Sequence, residues 1–156
     1  MTECHDLTAT GVVHGDDLVV GLEYHLGSHT ISEDELVDFA TEWDPQSFHI
    51  DADAAAGGAF GGLIASGIHT IAVYQRLSVH AQFDRWAVIA GRRLTDVRFL
   101  SPVRPGDTLT GVNVIDGLSS DDRNRTLVTM SSRVTNQNGE AVLSLVVEVL
   151  VRSRAL

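Results

Sequence analysis

The spacing of hydrophobic positions changes along the chain and predicts helices in the first half and strands in the second. The first helix is expected to begin at Ser32, which can cap it together with Glu35 at the third helical position. The apolar residues that follow lie at the spacing of one helix face: Leu36, Phe39 and Ala40. Pro45 disfavours the α conformation of the residue before it, so this helix is expected to end near Trp43.

Residues 66–82 are the best helix candidate, because apolar residues lie on most sides of the segment. These residues are Ile68, Ile71, Ala72, Tyr74, Leu77 and Val79. A helix of this kind is normally buried. A short capped helical turn is expected over residues 51–57, ended by Gly57. Residues 18–26 are apolar and β-branched enough for a first strand or an extended arm.

Four runs rich in β-branched residues follow Asp84, at residues 88–100, 108–115, 126–134 and 142–151. Turn sequences separate the last three runs from one another and from the first, at residues 105–107, 119–122 and 136–139. The pattern predicts an α+β fold in which antiparallel strands surround one buried central helix. We expect a single domain over residues 1–156, with residues 1–17 as a candidate flexible N-terminal arm.

Composition narrows the function classes. The net charge of −10 argues against nucleic acid and anionic membranes as partners, since both require a basic surface. All eleven basic residues are arginine, and the absence of lysine excludes Schiff-base chemistry and a phosphate-loop lysine. The only cysteine, Cys4, has no partner for a disulfide, and we interpret it as a bystander rather than a nucleophile. With no secretory signal and no apolar run of about 20 residues, a cytoplasmic location is expected.

The chemistry-bearing residues cluster around Pro45. Asp44 and His49 would lie about 140° apart on one helix, but a helix break at Pro45 allows a turn to bring both side chains together. A carboxylate and an imidazole at one point can move protons to and from water. Gly67 follows at a helix start, where a backbone N–H can hold an oxyanion. Taken alone, Asp44 is equally consistent with a turn aspartate, and His49 is more typical of a structural histidine.

Two other features have plain structural interpretations. Residues 57–62 are rich in glycine but match neither phosphate-binding fingerprint, so a tight loop with close backbone approach is the better interpretation. His69 can either line the site or pack in the core, and packing is slightly favoured. No cluster of His, Cys, Asp and Glu has metal-ligand spacing, so neither a metal nor a cofactor is expected.

Two stretches resemble a known family. Residues 43–51 read Trp-Asp-Pro-Gln-Ser-Phe-His-Ile-Asp, and residues 60–67 read Phe-Gly-Gly-Leu-Ile-Ala-Ser-Gly. Together they resemble the hydratase signature of the MaoC-like dehydratases, which include R-specific enoyl-CoA hydratases and 3-hydroxyacyl-thioester dehydratases. Residues 97–109, Val-Arg-Phe-Leu-Ser-Pro-Val-Arg-Pro-Gly-Asp-Thr-Leu, are also similar to this family.

The chain departs from the family pattern at four positions. Gln46 and Ser47 replace an Asn-Pro pair, and Ser66 replaces the histidine before the glycine of the helix start. Gln75 stands where some relatives carry a serine that supports the aspartate. These departures leave the Asp44/His49 pair in place and indicate a divergent subgroup.

The resemblance implies a hotdog fold, with an antiparallel sheet wrapped around the long helix, and a homodimer or dimer of dimers. It implies that Asp44 and His49 are the catalytic pair and that Gly67 is the oxyanion donor. The residues expected to bind substrate are Phe48, Phe60, Ser66, Ile68 and His69. The implied substrate is an acyl thioester of coenzyme A or of acyl carrier protein, in fatty acid metabolism.

The activity expected on this basis is reversible hydration of a trans-2-enoyl thioester to a 3-hydroxyacyl thioester. A thioesterase on the same fold and a non-catalytic acyl-thioester-binding subunit are the alternatives. An acidic carrier protein would need a local basic patch on this acidic chain. Its candidates are Arg92, Arg93, Arg98 and Arg104, and solvated surface arginines are the more conservative interpretation.

Overall fold

A computed structural model describes residues 11–155 of the chain. The helices are α1 (Glu33–Trp43), α2 (Ser47–Ile50), α3 (Ala52–Ala56) and α4 (Gly67–Ala81), and the strands are β1 (Glu23–Thr30), β2 (Val88–Phe99), β3 (Thr108–Ser120), β4 (Arg125–Thr135) and β5 (Ala141–Arg152). Short 3-10 turns lie at Gly15–Asp17 and Phe83–Arg85. Within residues 11–155, no helix is long and apolar enough to cross a membrane.

The five strands form one antiparallel sheet in the order β1-β3-β4-β5-β2. Burial alternates along β3, β4 and β5, because successive side chains of a strand point to opposite faces of the sheet. Helix α4 packs against the sheet and contacts β1 and β3. The predicted arrangement of antiparallel strands around a central helix is therefore confirmed.

One expectation about α4 needs correction. A helix apolar on most sides was expected to be buried, but Ile68 is 57% exposed and Ala72 is exposed as well. Its buried face instead carries a polar network. The Tyr74 hydroxyl lies 3.0 Å from Asn113 Oδ1 and 2.8 Å from Ser132 Oγ. Hydrogen bonding removes the cost of burying these groups between helix and sheet.

The first strand also differs from the prediction over residues 18–26. Residues 19–22 form a turn, closed by the bond from Leu22 N–H to Val19 O, and Gly21 has a φ of 91°. Strand β1 begins only at Glu23, where pairing with β3 starts. Tertiary pairing therefore sets this strand, rather than the local apolar run.

Part of the expected flexible arm is held in place. Val13 N–H donates to Arg85 O, and Val13 O accepts from Ala87 N–H, both at 2.8 Å. These two bonds attach Val13 to the segment just before β2, and Asp16 Oδ2 accepts from Arg154 N–H at 2.6 Å. The described part of residues 1–17 is therefore not a free arm. The rest of that segment, including Cys4, lies outside the described residues.

Candidate active site

The end of α1 and the short helix α2 bring Asp44 and His49 together. Helix α1 ends at Trp43, as predicted, and Asp44 leaves the helical conformation with φ −153° and ψ 69°. Helix α2, which the sequence did not predict, then turns the chain and carries His49 back towards Asp44. His49 Nε2 lies 3.4 Å from Asp44 Oδ2, which is longer than an ordinary hydrogen bond.

The His49 ring is buried and has a fixed orientation. Its Nδ1 lies 2.6 Å from the carbonyl oxygen of Ile64. A carbonyl oxygen only accepts, so Nδ1 carries the hydrogen and donates it. The other ring nitrogen, Nε2, therefore faces Asp44 with a lone pair when the imidazole is neutral. That atom can take a proton from a water molecule.

Asp44 is held by two side-chain donors. The Ser66 hydroxyl donates to Asp44 Oδ2 at 2.7 Å, and the Gln46 amide donates to Oδ1 at 2.8 Å. These two bonds, first from Ser66 and then from Gln46, hold the pKa of Asp44 below its usual range, and the nearby His49 adds to the effect. The carboxylate is therefore ionised at neutral pH, and its two oxygens are fixed in direction.

The start of α4 supplies the third component of the site. Ser66 is the N-cap, and its hydroxyl accepts from Ile68 N–H at 3.2 Å. Gly67 is the first residue of this helix of fifteen residues, where backbone N–H groups have no intrahelical acceptor. A Cβ on Gly67 would lie 2.6 Å from the Phe99 ring, so glycine allows that ring to lie directly against the backbone. The helix start thus offers N–H donors and a positive dipole end.

A cavity of about 370 Å³ brings these groups to one place. Asp44, His49 and Gly67 all line it. The other lining residues come from the start of α2, the loop before α4, α4 itself, the end of β2 with the segment after it, and β5. They are Gln46, Phe60, Ile64, Ala65, Thr70, Phe99, Leu100, Ser101, Pro102, Val103 and Val142. A cavity of this volume is at the small end of the range for ligand sites.

Of the five residues expected to bind substrate, only Phe60 lines this cavity. Ser66 is fully buried and acts on Asp44 instead, and Ile68 lies on the exposed face of α4. Phe48 packs edge-on against the His49 ring. Phe48, Ser66, Ile68 and His69 do not line this cavity, and the substrate contacts expected of them stay predictions.

His69 instead joins α4 to α1. Its ring stacks on Phe39 at 4.4 Å, and its Nε2 lies 3.2 Å from Glu35 Oε1. His29 of β1 reaches the same carboxylate at 2.9 Å. Burial lowers the pKa of His69. Burial raises the pKa of Glu35, but the hydrogen bonds from His29 and His69 more than offset that rise, so the pKa of Glu35 is lowered overall. No group of three or more His, Cys, Asp and Glu residues in the described part of the chain is arranged to hold a metal ion.

Several site residues were not identified from the sequence. Gln46 was noted only as a departure from a family pattern, and Ser66 was expected to bind substrate, but the two residues hold Asp44. The Ile64 carbonyl, which orients His49, gives no sequence signal because any residue has a carbonyl. Residues 99–103 also line the cavity. They lie within residues 97–109, and the only sequence signal for them was the resemblance of that stretch to the family.

The chain belongs to the MaoC-like family, because the family's model of the MaoC like domain matches residues 19–138. It is 38% identical over 102 residues to YdeM, an uncharacterised protein of Bacillus subtilis, covering 65% of this chain and 72% of that protein. It is 32% identical over 125 residues to 3-hydroxyacyl-thioester dehydratase Z of Mycobacterium tuberculosis, covering 79% of this chain and 82% of that protein.

A solved structure is similar over nearly the whole chain. The MaoC-like dehydratase from Rhodospirillum rubrum superimposes with a TM-score of 0.84 and 34% identity, covering 92% of this chain and 99% of that one. The hotdog fold implied by the sequence resemblance is thereby confirmed, and the relatives identify a hydratase or dehydratase type of enzyme at the level of the family.

Proposed function

We propose that the protein is a hydro-lyase that adds water reversibly to a trans-2-enoyl thioester, giving a 3-hydroxyacyl thioester. The observation that supports this most strongly is the convergence of His49 Nε2 and Asp44 Oδ2, 3.4 Å apart, in one cavity with the Gly67 helix start. The name of the M. tuberculosis relative, 3-hydroxyacyl-thioester dehydratase Z, supports the same reaction in the reverse direction.

In this mechanism Asp44 and His49 together hold the attacking water. The water oxygen bonds to C3 of the enoyl group while one of its protons passes to the Asp44/His49 dyad. The lone pair of His49 Nε2 accepts this proton. Asp44, kept ionised by Ser66 and Gln46, stabilises the imidazolium that forms. The dyad then returns the proton to C2, so the reaction consumes one water and leaves the enzyme unchanged.

The thioester carbonyl belongs at the start of α4. As C3 is attacked, negative charge develops on the carbonyl oxygen, and the Gly67 N–H with the positive end of the helix dipole stabilises it. The Phe99 ring lies directly against Gly67 and lines the same cavity.

We further propose that two chains associate through β2. This strand is at one edge of the sheet, and it and the residue after it expose large apolar side chains: Val88, Ile89, Leu94, Phe99 and Leu100. An exposed apolar edge strand is normally paired or covered. A homodimer, or a dimer of dimers, is the expected state, and a mass measured in solution by light scattering tests it.

The acyl carrier is coenzyme A or acyl carrier protein, and the arginines expected to contact it divide into two groups. Three of them, Arg92, Arg93 and Arg98, are exposed. Arg98 is bonded to Asp96 at 2.9 Å, and Arg93 lies 3.9 Å from Glu148. Arg104 instead directs its guanidinium at backbone carbonyls of its own chain. The fatty acid pathway and the cytoplasmic location stay predictions from the sequence.

A panel of enoyl-CoA and 3-hydroxyacyl-CoA thioesters tests the proposal. The expected result is loss of enoyl absorbance on hydration, its gain in the reverse direction, and no release of free thiol. Release of thiol would instead indicate a thioesterase. Saturable binding of crotonyl-CoA without turnover would indicate a non-catalytic binding subunit.

A further inference from the structure

The glycine-rich loop at residues 57–62 forms one wall of the cavity through a single side chain. Phe60 lines the cavity, and its ring centroid lies 6.3 Å from that of Phe48, which in turn contacts the His49 ring. Four of the loop's six residues are glycine, and Gly61 has a φ of 65°. Its backbone is bonded locally, from Gly58 N–H to Ala55 O at 3.0 Å and from Gly61 N–H to Gly58 O at 3.2 Å. Glycine has no side chain to pack and more conformational freedom than other residues.

Arg104 holds this loop from the outside. Its Nη2 donates to Phe60 O at 2.5 Å, and its Nη1 lies 3.3 Å from Gly62 O and 3.5 Å from Leu63 O. The side chain is half-buried, and its own turn is closed by the bond from Arg104 N–H to Asp107 Oδ2 at 2.8 Å. One guanidinium thus satisfies carbonyls along a four-residue stretch, as its planar fork of donors allows.

Separate bonds hold the other end of the same segment. Ala65 N–H donates to Val103 O at 2.8 Å, and Ile64 O accepts from His49. The part of the segment that orients His49 is therefore fixed without the Arg104 guanidinium. What the guanidinium fixes is the part that carries Phe60.

We propose that Arg104 is a positioning residue that fixes Phe60 across the cavity and so limits the length of acyl chain that the enzyme accepts. The inference rests on the proposed hydratase function. It also assigns the Arg104 guanidinium to the loop carbonyls rather than to a carrier protein. Lysine could not replace it fully, because an ammonium is a point charge without the planar fork.

The test compares Arg104→Met, Phe60→Ala and the double variant with the parent enzyme. For each, kcat/KM is measured with crotonyl-CoA and trans-2-octenoyl-CoA, and the octenoyl-to-crotonyl ratio is taken. We expect this ratio to rise roughly tenfold in both single variants, the low end of what pocket contacts contribute to discrimination. The double variant should show no further rise, because contacts that act through one another are not additive.

Two further variants separate positioning from general damage. Arg104→Lys should give an intermediate ratio. Arg125→Met is the matched control, because this arginine pairs with Asp121 near the end of a hairpin and lines no part of the cavity. It should leave the ratio unchanged. An unchanged or lower ratio in Arg104→Met, or an additive double variant, would overturn the proposal.

A measurement without substrate keeps the inference distinct from the proposed function. Amide hydrogen exchange over residues 57–63 should accelerate in Arg104→Met and stay at the parent rate in Arg125→Met. Unchanged exchange in Arg104→Met shows that the guanidinium does not hold the loop and overturns the inference. If the parent hydrates no thioester at all, the proposed function fails, whatever the exchange result.

Discussion

Replacing Ser66 by alanine removes one buried hydroxyl that has two roles. That hydroxyl donates to Asp44 Oδ2 at 2.7 Å and accepts from the Ile68 N–H as the N-cap of α4. Ser66 is 0% exposed, so water does not readily take its place. The substitution therefore loosens the carboxylate of the dyad and the start of the helix at once.

The expected loss of stability follows from these two bonds. An N-cap is worth about 1 kcal/mol. A hydrogen bond to a charged group is worth about 1.5–3 kcal/mol. Because the Asp44 side chain is 22% exposed, water can partly replace the lost donor, and we take the low end. A total of about 2.5 kcal/mol lowers the Tm by roughly 5–10 °C in a chain of this size.

The expected loss of activity follows from the position and charge of Asp44. Without Ser66, its carboxylate can rotate away from His49, and the pKa of Asp44 rises towards its usual value because the largest lowering contribution is gone. A misplacement of about 1 Å can cost roughly 100-fold, so we expect enoyl-CoA hydration to fall roughly 10- to 100-fold. The acid limb of the rate profile that belongs to Asp44 should move to higher pH.

Two control variants separate the two roles of the Ser66 hydroxyl, the bond to Asp44 and the N-cap of α4. Stability is measured by thermal denaturation and activity by the absorbance assay of hydration. Ser66→Gly removes the bond to Asp44 but is tolerated at an N-cap, so it should be more stable than Ser66→Ala and equally slow. Ser32→Ala removes only the cap of α1, whose hydroxyl accepts from Glu35 N–H, and should lose stability without losing activity. If both Ser66 variants hydrate substrate at the parent rate, the reasoning is refuted.

Three other variants test separate parts of the structure. Tyr74→Phe leaves buried partners such as Asn113 unsatisfied and should lower the free energy of unfolding by about 1–3 kcal/mol in urea denaturation; an unchanged value would contradict the network. Gly67→Ala should slow hydration by displacing the Phe99 ring, and adding Phe99→Ala should restore part of the rate; no restoration would argue against that contact. Burial lowers the pKa of His69, so its stabilising contribution is complete above the unfolded value of about 6.5 and is lost as the pH falls below it. The Tm of His69→Gln should therefore fall less than that of the parent when the pH is lowered from 7.5 to 5.5. An equal fall in both proteins would contradict a lowered pKa of His69.

The second half of the fold was largely predictable because its signals are local. The β-branched run over residues 88–100 predicted β2 to within one residue, since β-branched residues followed by a turn sequence mark such a strand directly. Strand β3 continues to Ser120, five residues past its prediction, because pairing with β4 rather than the local sequence decides where it ends. The prediction of a first strand over residues 18–26 was inaccurate for the same reason. Strand β1 includes the polar residues 28–30, which form a strand only because they pair with β3.

The candidate site divides in a similar way. The meeting of Asp44 and His49 could be predicted, because Pro45 ends the helix between them and the two lie only five residues apart. The bond from Ser66 to Asp44 joins residues 22 positions apart, and no periodicity predicts such a contact. His69 was ambiguous because a helix position alone does not say that Glu35 and Phe39 lie opposite it.

The central claim is that Asp44 and His49 act together to add water to an enoyl thioester. The most direct measurement is the rate of crotonyl-CoA hydration by the parent, Asp44→Asn and His49→Ala, each confirmed as folded by its thermal transition. The account predicts a fall of at least ~10²-fold in each variant, the low end for a positioned acid or base. Hydration by either variant at the rate of the parent would contradict it.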